Sequence, residues 1–241
     1  MWGSSATLRQ FFLICMLKSV DAVRFVRRMR GGSQAQLVEA SDGRHYVVKF
    51  QHNPQHQRIL VNELISSIML EYLQIATPKG CLVRVSEDLL AESPDAGFQI
   101  GGKFEKFRPG PHFGSQFPVH PERQAVYDFL PDRLLGDVHN RHHFLGMLVF
   151  DKWVANADGR QAVFFRGKVN EWAPRTETTF RGMGLIAAMI DHGFAFNGPY
   201  WEFTDSPLQG LYPRRVVYQD VKSLDDFQPW LSRLEAMPVE V

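Results

Sequence analysis

Cysteine is nearly absent from this chain. Cys15 and Cys81 are the only two in 241 residues, and neither belongs to a C-x-x-C pair, which argues against a disulfide framework and a cysteine-held zinc site. A reducing cytoplasm is the expected location. Long hydrophobic runs are missing too. The stretch Phe11-Phe12-Leu13-Ile14-Cys15-Met16-Leu17 stops at Lys18, far short of the length that spans a bilayer. No small-x-small cleavage pattern follows it before Asp21 and Arg24, so residues 1–19 read as a loosely held extension rather than a signal peptide. Charge of one sign is not in excess: 27 Lys and Arg face 26 Asp and Glu, a net +1, which gives no general pull toward nucleic acid or an anionic membrane. A Gly-x-Ser-x-Gly elbow, a Walker loop and a Rossmann fingerprint are all lacking, which removes the motif support for three large enzyme classes.

What is present suits a packed globular protein. Hydrophobic residues make up 44% and charged residues 22%, enough apolar surface for a full core in one large domain or two small lobes. Residues 20–50 alternate as a β-meander, with Asp42-Gly43 supplying the positive φ of a tight hairpin. Leu60, Val61, Leu64, Ile65, Ile68, Met69, Tyr72 and Leu73 recur at steps of three and four, which predicts an amphipathic helix ended by Thr77-Pro78. Strand-like segments are expected at 81–90 and 98–107. Pro109, Pro111, Pro118 and Pro121 predict an irregular connector over 108–121. Beyond it, helices are expected at 123–130, 142–154 and 224–237, and short strands at 162–165 and 185–190. The expected architecture is α+β and two-lobed. Residues 20–107 form a small antiparallel β lobe with one helix, and residues 108–241 a mainly helical large lobe.

Three groups of residues suggest chemistry. Lys49 ends an apolar strand, and Glu63 lies 14 residues on, in the helix. Such a pair either orders a phosphate chain or is one more ion pair on a solvated face. Phe150-Asp151-Lys152-Trp153-Val154-Ala155-Asn156-Ala157-Asp158-Gly159 runs from an apolar helix into a loop ending in Asn-x-Asp-Gly, a place for a catalytic base or an ordinary turn. Asp191-His192-Gly193 follows an apolar strand, where Asp191 can hold magnesium or cap the strand. Of the remaining signals, His139, His142 and His143 read as a partly exposed cluster rather than a metal site, because no carboxylate pattern accompanies them. Pro109–Ser115 reads as a rigid connector. Phe194, Phe196, Tyr200, Trp201 and Phe203 read as packing aromatics.

Taken in order, Gly31-Gly32-Ser33, Lys49, Asn62-Glu63, Asn156-Ala157-Asp158 and Asp191-His192-Gly193 resemble the HipA-like kinases, bacterial relatives of the protein-kinase and phosphatidylinositol-kinase folds. The resemblance covers roughly residues 20–200. It implies a two-lobed protein-kinase-like fold and an ATP- and magnesium-dependent phosphotransferase. Gly31, Gly32, Ser33 and Gln34 would cover the phosphates, and Lys49, paired with Glu63, would hold them. Glu105 and Phe107 would lie in a hinge strand facing adenine. Asp158 would be the catalytic aspartate, and Asp191, helped by Gln161, would take the metal. The acceptor would be a serine or threonine hydroxyl of a protein, or a small molecule. Two features depart from the family pattern. Val163 replaces the asparagine usual five residues after the catalytic aspartate, and little helical bulk follows Asp191. The first departure motivates the alternative of a nucleotide-binding pseudokinase with a regulatory partner. Neither reading calls for nucleic acid or a membrane span.

Overall fold

The structure, a computed structural model, describes residues 18–173 and 180–238. The apolar run at 11–17, including Cys15, lies outside the described residues. The chain is an α+β protein with six α-helices and three sheets among the described residues. It divides into two compact units: described residues up to Ile68 with Pro78–Pro121, and Met69–Thr77 with the described residues from Glu122 on.

The first unit contains β1 (Ser19–Arg28), β2 (Gln36–Ala40), β3 (His45–Lys49), most of α1 (Arg58–Tyr72), β4 (Gly80–Val85), α2 (Glu87–Ala91), β5 (Gly97–Ile100), β6 (Lys103–Lys106) and β7 (Gly110–Gln116). Five of these strands close a barrel in the order β1-β2-β3-β7-β4, with β1 completing it by running parallel to β4. Strand alternation aims Tyr46 and Val48 inward, where they join Val38, Val83, Phe50, Phe98 and Phe107 in one core. Phe50 and Phe107 stack with centroids 3.6 Å apart. The turn joining β2 to β3 has Gly43 at φ 73°, as the Asp-Gly dipeptide predicts. Cys81 is buried in this core, and burial pushes its thiol up to about 12, so it has no nucleophilic character at neutral pH.

Several sequence expectations are corrected here. Ser19, assigned to the extension by the sequence, already belongs to β1 and pairs with Leu82. Residues 81–90 are not one strand: Ser86 accepts from the Leu89 N–H at 3.1 Å and starts α2. The segment 98–107 is the hairpin β5/β6, turned at Gly101 and Gly102 with positive φ. The proline-rich connector contains a central strand, since β7 pairs with both β3 and β4.

The second unit contains α3 (Asp132–Leu135), α4 (His143–Trp153), β8 (Gln161–Lys168), α5 (Val169–Trp172), β9 (Met183–Ile190) and α6 (Trp230–Glu235). Here β8 and β9 form an antiparallel ladder in which Gln161 faces Ile190 and Val163 faces Ala188. Phe144, Met147 and Phe150 on α4 pack with Ala162, Phe164, Ala187, Met189 and Trp230. Two predicted helices are corrected. Within residues 123–130 the chain runs extended enough for Tyr127 to bridge Phe164. The last predicted helix is divided, because Pro229 separates a 3-10 turn at Leu224–Phe227 from α6.

Candidate active site

In the first unit, alternation along β3 turns Lys49 away from the barrel interior, and its Nζ donates to the Glu63 carboxylate on α1. Lys49 is 9% exposed and Glu63 3%, so this is a desolvated pair and not one on a solvated face. Removing two charges from water costs several kcal/mol per ion, and the attraction between them repays that only with good geometry. Net stability is therefore a poor explanation for the pair.

The loop 31–34 joins β1 to β2. Gly31 takes φ 117°, and Gln34 takes φ 48°. Gln34 is committed elsewhere: its Nε2 donates to Gln99 O and its Oε1 accepts from Gln99 N–H, both at 2.8 Å. Phe107 belongs to the barrel, with its N–H donated to Ala96 O at 3.0 Å and its ring on Phe50. Glu105 is solvent-facing and lies 3.5 Å from Arg108.

In the second unit, the loop after α4 is organised by a buried carboxylate that the sequence reading left without a role. Asp151 is fully buried. Its Oδ1 accepts from Arg160 Nη2 at 2.6 Å and from Asn156 Nδ2 at 2.9 Å, and its Oδ2 accepts from Arg160 Nε at 2.8 Å. Burial pushes the Asp151 carboxyl up, while Arg160 and Asn156 pull it back. Both oxygens are acceptors of groups that only donate, so the pair is ionic. Asn156 Oδ1 in turn accepts from the Asp158 N–H at 3.2 Å. The exposed Asp158 side chain accepts from Gly159 N–H at 2.7 Å and stands 3.5 Å from Gln161 Nε2.

Asp191 follows β9 with φ 60°, a left-handed conformation that costs a non-glycine residue energy and concentrates at functional sites. Because Gln161 opens β8 and Ile190 closes β9 opposite it, the chain at Asp158 and at Asp191 leaves the same end of one ladder. Arg160 joins the two: its Nη1 donates to Ile190 O at 2.6 Å and lies 3.1 Å from His192 Nδ1. His192 Nε2 reaches Thr77 Oγ1 at 3.1 Å, and Thr77 donates to Met189 O at 2.9 Å. A sequence signal for Asp151 existed. It falls on the stripe of Phe144 and Met147, and an acid on the buried face of a helix needs a partner.

The donors at this end of the ladder are oxygens: the Asp158 and Asp191 carboxylates and the Gln161 amide. No group of three or more His, Cys, Asp or Glu forms a metal cluster among the described residues. Magnesium needs only one or two carboxylates and takes its other ligands from water and phosphate, so this set fits it. The asparagine position holds Val163, 8% exposed and paired with Ala188. Within the histidine cluster His143 is buried and its Nδ1 accepts from Ala76 N–H at 2.8 Å, whereas His139 is exposed and stacks on Phe180.

A family model described as HipA-like kinase matches residues 22–205, more than half of the chain and parts of both units. The protein belongs to the HipA-like kinases. Comparison with individually curated proteins finds no match. The family is one of kinase-type phosphotransferases and implies ATP and a divalent metal as the groups to be bound. No helix among the described residues is long and apolar enough to cross a membrane.

Proposed function

We propose that the protein transfers the γ-phosphate of ATP, with magnesium, to a serine or threonine hydroxyl. The observation that carries this reading is the common ladder end at which Asp158 and Asp191 emerge, joined by Arg160. Asp158, exposed on a braced loop, orients the acceptor and takes its proton. The acceptor oxygen forms the new bond to phosphorus as the γ-phosphorus to β-oxygen bond breaks and ADP departs with that bond's electrons. Lys49, held by Glu63, positions the α- and β-phosphates, under the loop Gly31, Gly32 and Ser33. Asp191, with Gln161, would hold magnesium, which neutralises phosphate charge when bound. Catalysis of this kind is mostly positioning and electrostatics.

A second reading, a nucleotide-binding pseudokinase, is favoured by Val163, an apolar side chain where the family's metal-binding asparagine stands. One assay separates the two: phosphoryl transfer from ATP to the protein itself and to a mixed Ser/Thr acceptor, with and without magnesium. The kinase shows magnesium-dependent transfer that Asp158→Ala lowers by about 10²-fold or more, the scale for a positioned acid/base group, while ATP binding survives. Binding without transfer in the natural protein supports the pseudokinase, and absence of ATP binding ends both readings.

A further inference from the structure

We propose that Arg160 is a positioning residue that sets Asp191 in place against Asp158, acting through a chain of buried side chains rather than by touching the nucleotide. The inference rests on the reading above and names the device that holds its two carboxylates. The guanidinium is a planar fork with donors on more than one edge. One edge lies on Asp151, through Nε and Nη2 at 2.8 and 2.6 Å. Nη1 points to the end of β9, at Ile190 O, and to His192 Nδ1, with Asp191 O at 3.5 Å. Asp151 is also bonded to Asn156, and Asn156 to the Asp158 N–H. An unbroken path therefore runs from Asp158 through Asn156, Asp151 and Arg160 to the residues on either side of Asp191.

The far end of that path is fixed from behind. Arginine only donates, so His192 Nδ1 accepts, and the Nε2 proton of the neutral ring goes to Thr77 Oγ1, which passes its own proton to Met189 O. From Arg160 through His192 and Thr77 to Met189 O the protons thus run in one consistent direction. Asp151 also has no room to move: a β-carbon at Gly210 would collide with its side chain, so the chain at Gly210 closes directly over it. A buried ion pair is often no more stabilising than apolar side chains of the same volume. Here it does what apolar groups cannot, which is to hold two backbone segments at hydrogen-bond distance.

The test separates placement from stability. Replace both charges together, Asp151→Leu with Arg160→Met, which leaves neither ion stranded, and measure melting and ATP affinity with and without magnesium. The expected result is a folded protein that binds ATP without magnesium as the natural protein does. Its gain in affinity on adding magnesium should be cut by about 10- to 100-fold, the scale for groups that orient metal ligands. A folded double variant with the full magnesium gain overturns the proposal. Should the double variant not fold, Arg160→Lys keeps the charge against Asp151 but loses the fork, and a wild-type magnesium gain in that variant also overturns it. If the natural protein itself shows no magnesium gain, the proposed function fails and the positioning role falls with it. A gain present in the natural protein and kept in the variants removes only the positioning role.

Discussion

Gln34 pairs its side-chain amide with the backbone of Gln99 as a neighbouring strand would, donating from Nε2 and accepting at Oε1, each at 2.8 Å. Arg28 also donates to Gln34 Oε1 at 2.8 Å. The glycine loop of residues 31–33 is thereby attached to the β5/β6 hairpin at its C-terminal side. Gln34→Ala should leave the barrel folded and weaken ATP binding by about fivefold to tenfold, the equivalent of about 1 kcal/mol for lost ordering contacts. Calorimetric titration with ATP checks this. Unchanged affinity would mean that the loop does not cover the phosphates.

Lys49 and Glu63 respond differently alone and together. Lys49→Ala takes the cation away from a carboxylate that is 3% exposed, and removing one partner of a buried pair costs about 3–5 kcal/mol. A clear drop in melting temperature is expected along with lost nucleotide binding. Lys49→Met with Glu63→Leu should restore most of the stability and none of the binding. Recovery of ATP affinity in that folded double variant would show that the pair has no part in holding phosphate.

His112 gives the barrel a pH dependence. It is buried, donates from Nε2 to Arg108 O at 3.0 Å and accepts at Nδ1 from Gln51 N–H at 3.3 Å. Burial, with the neighbouring His52 in the same direction, brings it down to about 4 from 6.5. Below pH 6.5 the unfolded chain binds a proton that the folded chain refuses, so stability falls as pH drops toward 4 and this contribution then levels off. The loss is worth roughly 3 kcal/mol. Denaturant unfolding of the natural protein and His112→Gln across this range checks it, and the variant should lack that share of the slope.

Gly146 is fixed by its neighbour. The Trp230 indole lies where a β-carbon on Gly146 would go. Gly146→Ala should therefore destabilise by about 1–3 kcal/mol through overpacking, despite alanine's better helix propensity. Thermal melting reads the result, and an increase in stability would show that Trp230 can move aside.

Local patterns were legible where one residue type has one physical use. Asp42-Gly43 marked its hairpin, the period of Leu60 to Leu73 marked α1, and Leu185–Ile190 marked most of β9. The proline count over 108–121 misled, because it hides where the prolines stand. Pro111 pairs only with Arg84 on β4, beyond the point where β3 joins at Phe113, so its missing N–H breaks no ladder on that side. Ser86 with Glu87 and Asp88 was a readable helix start, submerged in an apolar stretch that resembles a strand. At the candidate site the sequence proposed Lys49, Glu63, Asp158 and Asp191 from an ordered set of polar residues after apolar elements, and in the fold Lys49 pairs with Glu63 while Asp158 and Asp191 flank one ladder end. The bracing by Arg160 and Thr77 was not readable. Thr77 and His192 are 115 residues apart, and only the folded chain brings them into contact.

The two-stranded ladder of β8 and β9 also has both of its outer edges occupied by groups that are not strands. Tyr127 exchanges two backbone bonds with Phe164, both at 2.8 Å. On the other side Asn140, fully buried, brackets Ala187 with its amide at 2.8 and 2.9 Å, while His139 N–H reaches Leu185 O and Met189 N–H reaches Ala76 O. Open edges are where sheets recruit further strands from other chains and begin to aggregate. Closing these with single residues leaves a two-stranded ladder that offers little template for growth, and it keeps a further strand from pairing at these positions.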